Sequence, residues 1–298
     1  MPILKILPCW DADEQFAARN RQLRISHAHA AALGHSAVQA ARKGYYTSAR
    51  GQRVDWEAFV EAACTAKVSI PPNAALPKSE RSPYAEMYVQ VTGETTLAAA
   101  WRLVEQGYRP VALNFANGVE PGGGVFRGAL AQEESLCRSS ALYLTLIGDP
   151  MYDYHEQYCG PEFSDWVIYS PKVPVFRNDA GQALEKPWLL SFITCAAPIA
   201  PLVGQPRSAE LLRARIHRVL AIAQAYAHEA IVLGAWGCGA FGNDPYQTAI
   251  DFRHALETVF NGAFREVVFA ITDLSETQRF LRPFCEVFAP YTDDAPAP

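Results

Sequence analysis

From residue 86 onward, short apolar runs alternate with helix-length amphipathic segments, and that alternation constrains the fold more than any other feature. The runs "EMYVQVTG", "RPVALNF", "WLLSFITCAA", "EAIVLGAWG" and "REVVFAIT" read as strands. Between them lie 94–107, stopped by Gly107, and 208–229, where Leu212, Ile216, Val219, Ala223 and Tyr226 share one side. A further helix follows Asp244 as N-cap and Pro245 at its first position. Strands alternating with helices build an α/β fold, with helices layered on both faces of one sheet.

Other segments are less regular. Residues 14–43 are Ala-rich and free of Pro and read as one helix or two, and "VDWEAFVEAACTAKVSI" as a short helix. The Pro-rich stretch 71–83 marks a boundary or a wrapping loop. A helix is expected over about 130–147, since Leu130, Cys137, Ala141 and Leu144 return to a similar face. The stretch 149–166 reads as a long loop, and "WVIYSPKVPVFRN" as strand pieces broken by Pro171 and Pro174. The last helix, "SETQRFLRPFCEVF", is expected to be interrupted or bent near Pro283, and "TDDAPAP" to fray.

With 298 residues and half of them hydrophobic, the chain can bury a substantial core. Its net charge of -5 provides no basic stripe, so no sequence-specific nucleic-acid binding is expected and a polyanionic ligand must be held locally. Seven cysteines without a repeated short spacing indicate neither a disulfide framework nor a zinc knuckle. No run of 18 apolar residues occurs, so no membrane partner and a cytoplasmic location are expected. His27, His29 and His35 lack the spacing of a ligand set, no metal or cofactor is expected, and no G-x-S-x-G elbow frames a nucleophile.

Two glycine-rich stretches, Asn117–Gly128 and Gly234–Pro245, each run from strand through loop into helix. In open α/β sheets ligands collect there, beyond the carboxyl ends of strands, and successive backbone N-H groups can cradle phosphate oxygens. Neither stretch is a dinucleotide fingerprint or a P-loop, and either alone reads most simply as a tight connection; the pair points to a phosphate-bearing ligand. Glu133 and Glu134 follow the first stretch. As helix neighbours they point about 100° apart, so they are either a solvated first turn or one carboxylate that orients ligand hydroxyls beside one that transfers a proton. Gln132 is a sugar ligand or a surface amide, and Asn114 and Asn117 are sugar ligands or turn residues. Phe241 is a stacking surface or an apolar plug, while Tyr152, Tyr154, His155 and Tyr158 read as loop packing before they read as the rim of a site.

"NFANGVEPGGGVFRGALAQEESLCRSSALY", with "YSPKVPVFRNDAG" and "GAWGCGAFGNDP", closely resembles bacterial-type poly(ADP-ribose) glycohydrolases, which carry a triple glycine and then Gln-Glu-Glu. Here seven residues separate Gly122, Gly123 and Gly124 from Gln132, Glu133 and Glu134, and the resemblance spans roughly 90–280. It implies a three-layer α/β/α macrodomain with a mixed central sheet over 86–292, an N-terminal helical extension over 1–85 and a tail at 293–298. It also implies hydrolysis of the ribose-ribose O-glycosidic bond of poly(ADP-ribose), releasing ADP-ribose mainly from chain ends without metal or cofactor. By the same resemblance Gly122, Gly123, Gly124, Val125 and Phe126 line the distal ribose and a phosphate. Gly237, Cys238, Gly239, Ala240, Phe241 and Gly242 form the diphosphate loop, with Phe241 packed on the terminal ribose. Asn114 falls at the strand-end asparagine of the family, and Asn117 resembles the second asparagine of macrodomains. Glu133 would orient the ribose hydroxyls, Glu134 would be the acid and base, and Glu94 or Thr95 would hold the adenine. A module that binds ADP-ribose without cleaving it, and a hydrolase of singly ADP-ribosylated macromolecules, are the competing readings.

Overall fold

The computed structural model describes residues 2–10, 23–77 and 83–290. In chain order the elements are β1 (Ile3–Ile6), α1 (His27–Lys43), β2 (Tyr45–Thr47), β3 (Arg53–Asp55), α2 (Glu57–Ala66) and β4 (Val68–Ile70). Next come β5 (Glu86–Thr92), α3 (Thr96–Glu105), β6 (Pro110–Phe115), α4 (Gln132–Ser139), α5 (Leu142–Leu146) and α6 (Pro150–Tyr158). The remainder is β7 (Val167–Arg177), β8 (Ala183–Cys195), α7 (Ala200–Val203), α8 (Arg207–Ala225), β9 (Ala230–Leu233), α9 (Pro245–Glu257), β10 (Glu266–Ala270) and α10 (Leu281–Val287).

Eight strands form one mixed sheet in the order β1-β5-β10-β9-β6-β8-β7-β4. Neighbours from β1 to β8 run parallel, and β7 runs antiparallel to both β8 and β4. Side chains alternate across the pleat, so β6 sends Val111 and Leu113 to one core and Ala112 to the other. The first core packs the sheet against α8, α9 and α10 through Leu212, Ile216, Phe252 and Phe284. The second packs it against α1 to α6 through Ala37, Leu97, Leu136 and Met151. The result is the three-layer α/β/α arrangement with a mixed sheet.

Several local expectations need correction. Of the segment 14–43, residues 23–43 are described, with one helix from His27; Ser26 caps it by accepting the N-H of His29, and Gly34 lies inside it. The N-terminal region is not purely helical, because β1 and β4 supply both edge strands of the sheet. The expected helix over 130–147 is two helices, divided where Ser140 bridges to Val175 of β7. The stretch 149–166 is not a loop: Asp149 accepts the N-H of Met151, Pro150 occupies the first turn, and α6 runs to Tyr158. Strand β7 is continuous through both prolines, with a register shift between Ser170 and Val173 that absorbs Pro171. Pro283 does not interrupt the last helix, since the helix starts only at Leu281 and so places that proline in its first turn. Cys9 and Cys285 form a disulfide across 276 residues, which the cysteine spacings did not indicate. The expected frayed tail lies outside the described residues.

Candidate active site

The carboxyl ends of the parallel strands open into a cavity of roughly 580 Å3. Its floor comes from Phe115 to Asn117 after β6, Ala197 after β8, Ala235 to Gly237 after β9 and Ile271 to Thr272 after β10. One wall is the first turn of α4, with Gln132, Glu133 and Glu134; another is the second glycine loop with Gly239, Ala240 and Phe241. Leu23, Arg24, Ile25 and Leu33 line it from the N-terminal region, with Leu33 against the β7-β8 turn, whose residues Asn178 to Gly181 also line the cavity.

The acid pair is buried, with Glu133 3% and Glu134 6% exposed. A solvated first turn is thereby ruled out for both. Glu133 is clamped at each oxygen: Asn114 Nδ2 donates to Oε1 at 3.3 Å and the Asn117 N-H donates to Oε2 at 2.7 Å. Burial pushes its pKa up to about 8, against the pull of the Asn117 N-H and with a further push from the neighbouring charge of Glu134. Glu134 is held at one oxygen only. The Gly124 N-H donates to Oε1 at 2.8 Å, while Oε2 has no hydrogen-bond partner among the described residues.

The triple glycine therefore serves the acids more directly than it serves a ligand. None of Gly122, Gly123 and Gly124 lines the cavity; their backbone closes over the carboxyl groups instead. At Gly123, φ is 56°, and a Cβ would stand 3.1 Å from Glu133 Oε2 and closer still to Glu134 Oε1. Val125 is fully buried in the core against α1, and Phe126 stacks on His35 at 4.8 Å, so neither side chain lines the cavity.

Gln132 is neither a free ligand nor a surface amide. Its Nε2 donates to the Leu113 carbonyl at 2.7 Å and to Thr96 Oγ1 at 3.1 Å, and its Oε1 accepts the Phe115 N-H at 2.9 Å. It ties the end of β6 to the helix that carries the acids. Asn117 is a turn residue whose Oδ1 accepts the N-H groups of Val119 and Glu120. Its own N-H reaches Glu133, so the turn serves the site. Asn114 Nδ2 also donates to Thr194 Oγ1 at 3.2 Å, while its buried Oδ1 has no partner among the described residues.

In the second loop, the N-H groups of Gly239, Ala240 and Phe241 donate to no acceptor among the described residues, as a phosphate cradle requires. Asn243 braces the loop by donating to the carbonyls of Pro198 and Gly237. Cys238 points away from the cavity, with its buried thiol 3.6 Å from Thr248 Oγ1, and Gly242 lies outside the lining. Glu94 is also outside the lining, its carboxylate paired with Arg102 at 2.7 Å. Thr95 lines the cavity while capping α3 and donating to Asp179 Oδ2 at 2.6 Å. Asp179 and Trp236 also wall the cavity and were not expected there from sequence, although they lie within "YSPKVPVFRNDAG" and "GAWGCGAFGNDP". Among the described residues no three His, Cys, Asp or Glu side chains are arranged to hold a metal ion.

A raised folded-state pKa makes Glu133 a pH-dependent stability element. Its contribution is complete below the unfolded carboxyl value of 4.5 and is lost as pH rises through about 8. Glu133→Gln removes this dependence and keeps an oxygen acceptor. Melting curves recorded from pH 5 to 9 are expected to show the variant gaining on the wild type with rising pH, by several kcal/mol at the top of the range. Parallel curves for the two proteins would contradict the burial argument.

An α/β/α domain with a buried glutamate pair over a strand-end cavity, faced by a loop of unpaired N-H groups, is a macrodomain-type site suited to cleaving a sugar diphosphate at its ribose. Comparison with known proteins narrows the class. Residues 34–178 match the family described as microbial-type PARG, catalytic domain. The poly(ADP-ribose) glycohydrolase from Thermomonospora curvata is 38% identical, with a TM-score of 0.82 over 87% of this chain and 99% of its own. The same enzyme bound to the inhibitor ADP-HPD superposes with a TM-score of 0.80 over equal shares. The enzyme from Deinococcus radiodurans in complex with ADP-ribose is also 38% identical, with a TM-score of 0.71 over 79% of this chain and 99% of that one. No curated protein sequence matches the chain significantly. The chain belongs to the microbial-type poly(ADP-ribose) glycohydrolase family.

Proposed function

We propose that the protein hydrolyses the ribose-ribose O-glycosidic bond of poly(ADP-ribose) and releases ADP-ribose, with Glu134 as acid and then base. The observation that carries this reading is the asymmetry of the buried pair. Glu133 has both oxygens engaged by protein donors, which suits a residue that holds ribose hydroxyls in a fixed orientation. Glu134 has one oxygen anchored by Gly124 and the other without a partner among the described residues. In the first step Glu134 Oε2 gives its proton to the leaving ribose oxygen as the C-O bond breaks and positive charge spreads over the anomeric centre. The resulting carboxylate then takes a proton from water as the water oxygen bonds to that carbon, and the acid is restored. The unpaired N-H groups of the second loop hold the diphosphate, and Phe241 in the wall packs on the terminal ribose.

Leu23 to Ile25 and Leu33 wall the cavity on the N-terminal side. This wall supports a site that accepts the free end of a chain more readily than its interior. The family comparisons agree with the reading, since relatives are named as poly(ADP-ribose) glycohydrolases and were solved with ADP-ribose or an inhibitor. The test compares turnover of purified poly(ADP-ribose) with that of singly ADP-ribosylated protein and nucleic acid. Faster release of ADP-ribose from the polymer is expected. Binding of ADP-ribose without turnover of any substrate would make the protein a reader, and preference for the singly modified substrates would reassign the reaction.

A further inference from the structure

The two ligand loops are separate in sequence, yet both rest on one turn that no catalytic argument requires. That turn, between α6 and β7, carries Phe163 at φ 54° and ψ -164°, a conformation essentially confined to glycine. Strain at a bulky residue persists only where its surroundings dictate it. On one side the Phe163 ring lies against Gly118 of the first loop, so close that a Cβ there would stand 2.7 Å from its Cζ and nearer to two other ring atoms. On the other it meets Phe241 of the second loop, with ring centroids 6.0 Å apart.

Buried groups fix the turn on every side. His155, fully buried beneath Phe163, accepts the Ser164 N-H at Nε2, so its proton is on Nδ1, which donates to the Gly118 carbonyl at 2.9 Å. Arg215, also fully buried, donates from Nη2 to the Glu162 carbonyl at 2.6 Å and from Nη1 to the Ala196 carbonyl at 3.0 Å. The Ile199 N-H donates to the Pro161 carbonyl, and the next residue, Ala200, donates to the carbonyl of Phe241. The Asn117 N-H that holds Glu133 belongs to the residue just before Gly118. A single wedge thus abuts the backbone that aims one glutamate and the ring that faces the ribose.

We propose that Phe163 is a positioning residue that sets the first loop, and with it Glu133, against Phe241 of the second. The proposal rests on the glycosidase reading of the site. Displacing the wedge disturbs the orientation of bound ribose more than the diphosphate contacts, so the loss falls on kcat and not on ADP-ribose affinity.

The experiment is a size-exchange cycle between Gly118→Ala and Phe163→Ala. For each protein, ADP-ribose titration calorimetry counts the binding-competent sites, and polymer turnover is expressed per such site. Each single variant is expected to lose roughly tenfold or more in kcat while the ADP-ribose Kd changes by less than about threefold. In the double variant the methyl group of Ala at 118 fits the space vacated by the ring, and kcat is expected to recover relative to Gly118→Ala alone. A merely structural role would lower the melting temperature and the number of competent sites but leave kcat per site unchanged, which overturns the proposal. Failure of Phe163→Ala to relieve Gly118→Ala overturns it as well. Should Phe163→Ala not fold, Phe163→Leu replaces it in the same cycle with the same two criteria. Absence of turnover in the wild type would defeat the functional reading itself, whereas wild-type turnover with unaffected variants defeats only the role of Phe163.

Discussion

Glu134→Gln is expected to lower kcat on poly(ADP-ribose) by at least about a thousandfold while leaving the Kd for ADP-ribose within about threefold of the wild type. The glutamine carbonyl oxygen still accepts the Gly124 N-H, so the first turn of α4 and the backbone around it keep their places. The other oxygen becomes an NH2 group that cannot protonate a leaving ribose oxygen or accept a proton from water. Rate and affinity therefore separate, which is the mark of a group that acts in the transition state and contributes little to ground-state binding. The check is steady-state turnover beside calorimetry on the same preparation. A near-normal rate would transfer the acid role to Glu133, whose oxygens are both already engaged by protein donors.

Gly123→Ala is expected to be nearly as damaging by a different route. At φ 56° an alanine is strained by about 1 kcal/mol or more, and its methyl group is also driven into the carboxyl of Glu134. The acid pair has to move, because the obstacles are the carboxyl ends of two buried glutamates, each anchored by a backbone N-H and not free to swing into solvent. Turnover is expected to fall by at least about a hundredfold with a clear drop in melting temperature. Gly51→Ala separates the two causes: φ there is 79°, yet a Cβ would meet nothing within 4 Å. That variant bears the backbone strain alone and is expected to lose some stability and no activity. If Gly123→Ala behaved like Gly51→Ala, the claim that the triple glycine exists to admit the carboxyls would fail.

The parallel part of the sheet was readable because its strands are continuous apolar runs. Ala230–Leu233 is buried at every position, as a central parallel strand between two helical layers must be. The edges were not readable: β1 has four residues and β4 three, too short for a period, and both draw their meaning from distant partners at Glu86 to Val89 and at Val167 to Tyr169. Helix α6 was hidden by its polar aromatic composition, though Asp149 followed by Pro150 is a helix-start signal that was present in the chain. The Cys9-Cys285 link joins residues too far apart for any spacing rule.

At the site, residue types and order revealed the glutamates and both glycine loops, but partners decided what each does. Gln132, readable from sequence as a sugar ligand or a surface amide, is also a brace, because its amide matches a backbone donor and acceptor at the end of β6. Gly123, readable as part of a loop for ribose and phosphate, also gives clearance for two carboxyls. Phe163 gave no signal, and His155 read only as loop packing or a rim residue, since their importance lies in contacts made across the fold to Gly118 and Phe241.

Long poly(ADP-ribose) incubated with the purified protein, with products resolved by chain length from the earliest time points, reports both whether the glycosidic bond is cleaved and where along the chain. ADP-ribose accumulating from the start, while the remaining chains shorten gradually, is the expected result. No release of ADP-ribose, or early accumulation of short oligomers in its place, would contradict a glycohydrolase that works from chain ends.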